Sequence, residues 1–220
     1  FKPGQYVSVK RYIDALGYDQ PRQYSMSDAP HGDYLRISVK REPGNADASP
    51  GVISNVLHDG VSVGDLVEVS APAGVFTLEM DKRTPVVLVS GGVGITPMIS
   101  MLASLTQDQQ ARRIVFVHAC RDASVHAFKD WVNQRVATHA NLTKHIYYEA
   151  VGEDDVRDVD YDAAGRVDLS LLVDDDLVAT ADFYVCGPMP FMLAQKQALE
   201  RLEVDASRIH TEVFGSGMLD

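Results

Sequence analysis

PVVLVSGGVGITPM, residues 85–98, marks the point where the chain changes its period. PVVLV is a continuous apolar run, as a strand buried on both faces of a parallel sheet would read. In the helical stretch that follows, Ile95, Met98, Ile99, Leu102 and Leu105 recur at three- and four-residue steps. The alternation then repeats. IVFVHA (114–119) precedes a second helix carrying Phe128, Trp131, Val132 and Val136, and HIYYEAV (145–151) is another strand. DFYVCG (182–187) leads into a third helix with Phe191, Ala194, Ala198 and Leu202. Strands alternating with helices predict a parallel sheet with crossovers.

Upstream the period is two. In YLRISVKRE (34–42), Leu35, Ile37 and Val39 alternate with Arg36, Ser38 and Lys40, predicting a half-buried antiparallel strand. YVSVKR (6–11) and DLVEVSAP (65–72) read alike, and one short helix interrupts at VISNVLHD (52–59). Several such strands predict a small antiparallel barrel. The expected fold class is therefore all-β plus α/β: a barrel domain over residues 1–82, then a parallel-sheet nucleotide-binding domain over 83–220, with the boundary in MDKRTP (80–85). The opening FKPGQYVSV reads like the middle of a strand-rich domain, which predicts an N-terminally incomplete barrel and a longer natural chain.

The net charge is −11, which argues against nucleic acid and anionic membranes as partners. The acid is concentrated in EDDVRDVDYD (153–162) and DDD (174–176), expected as solvated loops. Two cysteines, Cys120 and Cys186, cannot form a disulfide framework, and the seven histidines lack paired ligand spacing; no metal site and a cytoplasmic setting are expected.

Three stretches carry candidate chemistry. Gly92, Val93 and Gly94 lie between strand and helix, followed by Ile95, Thr96 as expected N-cap and Pro97 as first helical residue. Glycines there let backbone approach a phosphate, and the helix N-terminus offers N–H groups. Cys186, Gly187, Pro188 and Met189 end another parallel strand, and ligands lie beyond the carboxyl ends of such strands. RQYSMS (22–27) brings Arg22, a clamp for pyrophosphate, beside Tyr24, a flat stacking face, and Ser25, a small donor for a ring nitrogen. Lys40 and Arg41 add charge, and Gly51, Val52, Ile53, Ser54 and Asn55 form a second phosphate cradle. Each has a plainer structural reading, such as Tyr24 in a core or Arg22 in an ion pair; their joint occurrence in this order favours the functional one.

PGQY, RQYS, ISVKRE, the G-x-x-SN-x-LH loop, APAG-x-F, SGGVG-x-TPM, VHAF, CGP-x-x-FM and EVFG together resemble the reductase module of the ferredoxin–NADP reductase superfamily, and within it the reductase part of flavohemoglobins (nitric oxide dioxygenases). The resemblance covers essentially the whole chain. It implies that Tyr6, Arg22, Gln23, Tyr24 and Ser25 hold FAD, with Gly51 to Asn55 and Lys40 at its phosphates. Gly92 to Pro97 would receive NAD(P)H and Cys186 to Met189 would flank the nicotinamide. Glu212, Val213, Phe214 and Gly215 would close the flavin's other face, with Tyr24, Ser25 and Glu212 in catalytic roles and Ser216 a further cofactor-binding candidate. It further implies hydride transfer from NADH to FAD and electron release to haem b in a partner globin domain, N-terminal in the same natural chain. NADPH is the other donor considered, since Arg121 suits a 2′-phosphate and Asp122 rejects one. Alternatives are a free-standing flavin or ferredoxin-type reductase, and a redox-silent nucleotide-binding module. Family members end with F-G-P, where this chain has Ser216 after Gly215.

Overall fold

The computed structural model describes residues 1–14, 16–44, 46, 49–108 and 112–213. Two sheets organise them. The first is antiparallel, with strands β1 (Tyr6–Ile13), β2 (Tyr18–Ser25) and β3 (Glu68–Val69) in the order β2-β1-β3. The period-two stretch 6–11 lies within β1 as expected. The stretch 34–42 does not become a strand: it meets the sheet through a single bridge, Met26 to Ile37, and Leu35 is exposed. Likewise only Glu68 and Val69 of 65–72 pair, while Leu66 is almost fully exposed. Alternating apolar residues make a strand only where a neighbouring backbone completes the ladder. Helix α1 (Val52–Asp59) forms where expected.

The second sheet is six-stranded and parallel: β4 (Val86–Gly91), β5 (Ile114–Cys120), β6 (Leu142–Tyr148), β7 (Ala163–Ala164), β8 (Asp182–Gly187) and β9 (Ile209–Val213). Their spatial order is β7-β6-β5-β4-β8-β9. The order runs outward from β4 on one side and from β8 on the other, so the chain switches direction between these two central strands. Every residue of β4, β5 and β8 is buried, which accounts for their near-continuous apolar sequences.

Helices α2 (Ile95–Gln107), α3 (Lys129–Thr138), α4 (Asp175–Thr180) and α5 (Met189–Arg201) cover the faces. One core joins α2 to Val86, Leu88, Phe116 and Tyr184 and takes in Phe76 and Leu78 from the antiparallel unit. The other joins Val87, Val89, Val115, Phe183 and Val185 to Leu177, Met192 and Leu199. Two expectations shift here. Ala194 is exposed, and α5 instead buries Met192, Gln195 and Leu199. The acidic run 174–176 is not a loop: Asp174 caps α4, accepting from Leu177 N, and Asp175 and Asp176 fill its first turn, where carboxylates complement the helix dipole. No helix among the described residues is long and apolar enough to cross a membrane.

A polar knot fastens the segment between the units. Asp182, 1% exposed, accepts from Lys82 Nζ (3.0 Å), Thr84 Oγ1 (3.1 Å) and His210 Nε2 (3.0 Å). Arg112, also buried, donates to the carbonyls of Thr84 and Glu79. Burial pushes the Asp182 carboxyl upward, but its donors, His210 first, outweigh this and hold it below its ordinary value.

Candidate functional site

The carboxyl ends of β4 and β8 meet at the direction switch, where open α/β sheets bind ligands. β4 runs into a single 3₁₀ turn, Gly92–Gly94, and α2 starts at Ile95. Thr96 is therefore not the N-cap: Gly94 is, and the Thr96 hydroxyl donates to Val93 O (3.2 Å) inside the first turn. Pro97 becomes the third helical residue, where its missing N–H costs no intrahelical bond. Gly92 has φ +54° with no atom near its absent side chain, so the turn stays open there. Gly94 is the opposite case, because a Cβ would lie 2.3 Å from Cys186 O and 2.7 Å from Gly187 N. The two turns are thus packed backbone against backbone. Cys186 and Gly187 are buried, whereas Pro188 caps α5 and Met189 opens it, exposed.

β9, unforeseen in the sequence, supplies the third side. It pairs Glu212 with Cys186 and Val213 with Gly187. The Glu212 Oε2 is buried without a hydrogen-bond partner, and burial pushes the carboxyl up to about 7. The Cys186 thiol is raised well above its ordinary value by burial and then by Glu212, so it stays protonated. Phe214, Gly215 and Ser216 lie outside the described residues.

On β2, Arg22 and Tyr24 face one way and Gln23 and Ser25 the other. Ser25 pairs with Tyr6 and Tyr24 with Val7. Ser25 is 2% exposed, and its Oγ is buried with no partner, an orphan polar atom that calls for a ligand. Arg22 is exposed; its NH1 donates to Pro21 O, and no carboxylate pairs with it among the described residues. Tyr24 is half-buried, and burial raises its hydroxyl while Arg22 opposes the shift. The strand ends against α2, since Ser100 Oγ donates to Asp28 O (2.7 Å).

The second cradle is more self-contained than its sequence suggests. Asn55 Nδ2 donates to Gly51 O (2.7 Å) and Glu42 O (2.8 Å), and Ser54 Oγ donates to Gly51 O (3.2 Å). These side chains tie the loop to α1, leaving Val52 exposed and Ile53 buried. Lys40 pairs with Glu42 and Arg41 grips Asp59 with both terminal nitrogens. Arg22 is therefore the cation of this set with no carboxylate on it.

At the end of β5, Asp122 accepts from Ser124 N (2.9 Å), from the Ser124 hydroxyl and from Arg121 Nε (2.8 Å), which hold its carboxyl below the ordinary value. Beneath β4, Ser90 Oγ lies 2.9 Å from His118 Nδ1, a pairing not foreseen in the sequence. Among the described residues no group of three His, Cys, Asp or Glu is placed to hold a metal ion.

This arrangement has known counterparts. Residues 88–197 match the oxidoreductase NAD-binding domain family. The FAD/NAD-binding domain of a nitric oxide dioxygenase from Vibrio cholerae superposes with a TM-score of 0.86 at 37% identity, covering 98% of this chain and 86% of that one. The chain belongs to the flavohemoprotein FAD/NAD-binding reductase family. The flavohemoprotein of Bordetella pertussis is 53% identical over 218 residues, 99% of this chain and 54% of the relative. The chain thus spans about half the length of the curated relatives it matches. A flavohemoglobin from Malassezia yamatoensis, solved with bound FAD and heme, superposes with a TM-score of 0.78 at 26% identity, covering 97% of this chain and 52% of that one.

Proposed function

We propose that this chain binds FAD and NADH side by side and passes reducing equivalents, one electron at a time, to haem b in a globin domain. That domain precedes it in the natural polypeptide, and the whole carries out dioxygenation of nitric oxide to nitrate with O2. The observation that carries the reading is the packing of Gly94 onto the Cys186 carbonyl. It brings a phosphate-type turn and a second strand-end turn into one crevice at the sheet's direction switch. The division of labour places the flavin on residues 1–82 and the nicotinamide nucleotide on 83–220.

The residues present fit both cofactors. Ser25 has an unsatisfied buried hydroxyl for a flavin ring nitrogen, Tyr24 a half-buried ring to stack, and Arg22 an exposed guanidinium with no carboxylate on it among the described residues, for pyrophosphate. Tyr6, Gln23, Lys40 and Gly51 to Asn55 complete that side. Gly92 to Pro97 present backbone and a helix N-terminus to the phosphates of the dinucleotide. When bound, FAD would take hydride from NADH and supply its two electrons one at a time. Hydride transfer would require the two held at reacting distance, and the buried Cys186 and Gly187 would form a floor closed to water beneath them. Glu212 is poised to hold or release a proton near neutral pH at Oε2, while Cys186 retains its own. Val213 ends β9 beside Gly187, and the resemblance would put Phe214 and Gly215 after it at the flavin's other face, with Ser216 next in the chain. Asp122, a carboxylate at the end of β5, supports NADH over NADPH, because it would repel a 2′-phosphate and has taken Arg121 as its own partner. Two buried free thiols support a reducing, cytoplasmic setting.

Anaerobic titration of the FAD-loaded chain with NADH tests the reading. The flavin absorption band bleaches, with NADPH acting more weakly. A flavin that binds but is not reduced by either nucleotide refutes the hydride-transfer function.

A further inference from the structure

The two central strands end in the same way on the same face. Along β4, Val87 and Val89 point into the core on the α5 side of the sheet, and the next residue on that face is Gly91. Along β8, Phe183 and Val185 do so, and the next is Gly187. Period-two alternation would put a side chain at each position. One ring fills both vacancies. A Cβ on Gly91 would stand 2.9, 3.0 and 3.1 Å from Cγ, Cδ1 and Cδ2 of Phe191, and one on Gly187 would stand 2.9 Å from its Cδ1. A Cβ on Gly187 would also stand 3.1 Å from Gly91 O and 3.2 Å from Gly91 Cα, so the two bare backbones lie against each other beside the ring. Phe191 comes from the first turn of α5 and packs onto the same core as Val89 and Val185.

We infer that Phe191 is a positioning residue, a single-ring brace that sets the separation of the Gly92–Gly94 turn from the Gly187–Met189 turn and so the register in which a dinucleotide can span them. The inference rests on the nucleotide-binding reading above. Residues on both strand ends must be glycine because the ring occupies the space of their side chains. The ring fills the space that side chains at both positions would take, so its placement and the spacing of the two turns are coupled.

The test compares Phe191→Ala and the milder Phe191→Leu with wild type, all FAD-loaded. Phe191→Ala weakens NAD+ binding, read by calorimetry, by about 10- to 100-fold while FAD affinity is unchanged, because misplacement of about 1 Å is costly to a fixed geometry. Phe191→Leu falls between. In the nucleotide-free chain, Phe191→Ala speeds amide hydrogen exchange in both turns, not only in α5. Gly91→Ala weakens NAD+ binding in the wild-type background. In the Phe191→Ala background it restores part of the loss, since the new methyl enters vacated space. Unchanged NAD+ affinity in a folded Phe191→Ala chain overturns the inference, as does faster exchange confined to α5. Should wild type itself bind no NAD+, the nucleotide reading fails. Exchange in the two turns then decides alone whether the ring braces them.

Discussion

Replacing Glu212 by glutamine should flatten the pH dependence of stability above pH 5. The folded chain holds this proton to about pH 7, against an ordinary value of 4.5. A raised folded value means that the folded state binds the proton more tightly than the unfolded state. The stabilisation is complete below pH 4.5 and is lost as pH rises through 7. Two and a half units at about 1.4 kcal/mol each set an upper bound of about 3–4 kcal/mol. Glutamine has the same shape and no proton to lose, so the variant should match wild type near pH 4.5. It should exceed wild type by up to about 3 kcal/mol at pH 8, or roughly 6–12 °C in midpoint for a chain of this size. Thermal unfolding of both proteins from pH 4.5 to 8.5, followed by circular dichroism, measures the difference. Histidines titrate alike in both and cancel, and Cys186, the titratable group opposite Glu212, keeps its proton throughout. Parallel curves would refute the burial argument. A variant that loses stability at high pH would mean that the carboxylate is held by a donor.

Three further perturbations separate the fold from the site. Asp182→Ala strips Lys82, Thr84 and His210 of their acceptor and leaves Arg112 buried beside a void. About 3–5 kcal/mol of stability should be lost in urea titration, and a loss under 1 kcal/mol would show the knot to be ornamental. Gly94→Ala drives a methyl into the Cys186 carbonyl, so NAD+ binding should weaken at least roughly tenfold by calorimetry, with FAD content intact; equal loss of both cofactors would contradict the assignment. His118 and His126 are lowered to about 3 and about 4, chiefly by burial, so both oppose folding as pH falls below their ordinary 6.5. The urea midpoint should drop between pH 7 and 5, and His118→Asn should lessen that drop.

The elements legible in sequence are those whose environment is uniform along their length. β4, β5 and β8 are buried on both faces and read as apolar runs; α2 is buried from Ile95 to Thr106, and its large apolar side chains still recur at helical spacing. β9 escaped because its middle, His210-Thr211-Glu212, is three polar residues in a row: His210 is spent on Asp182, and Glu212 lies opposite Cys186. Neither partner is near in sequence, so no local pattern announces the strand. α4 hid behind three aspartates, though an aspartate followed by acidic residues is itself a helix-start signal. The stretch 34–42 failed in reverse: its alternation is genuine, but only Ile37 finds a bridge. At the site, the glycines, Ser25 and Glu212 were named from sequence and family resemblance. Phe191 was named only as a helix residue, because its role depends on two strand ends nearly a hundred positions apart.

Those strand ends also explain how one sheet edge serves two purposes. On the α2 face the last in-register residues are Glu212, Cys186, Ser90 and His118, side by side across β9, β8, β4 and β5. On the opposite face the next positions of β8 and β4 are Gly187 and Gly91, filled by one ring. The strands keep their alternation to the end and change only its content. One face turns from apolar to protic, and the other from side chain to bare backbone. On the proposed reading, Glu212 on the first face would set proton availability at the crevice, and the bare backbone of the second would let turn and ligand approach closely. Because the two sets occupy opposite faces, substitutions in one should leave the other's readout unmoved. Glu212→Gln should shift pH profiles without altering NAD+ affinity at low pH, and Phe191→Leu should alter affinity without shifting the profile. Loss of that independence would mean that the turns, and not the faces, are the units of function.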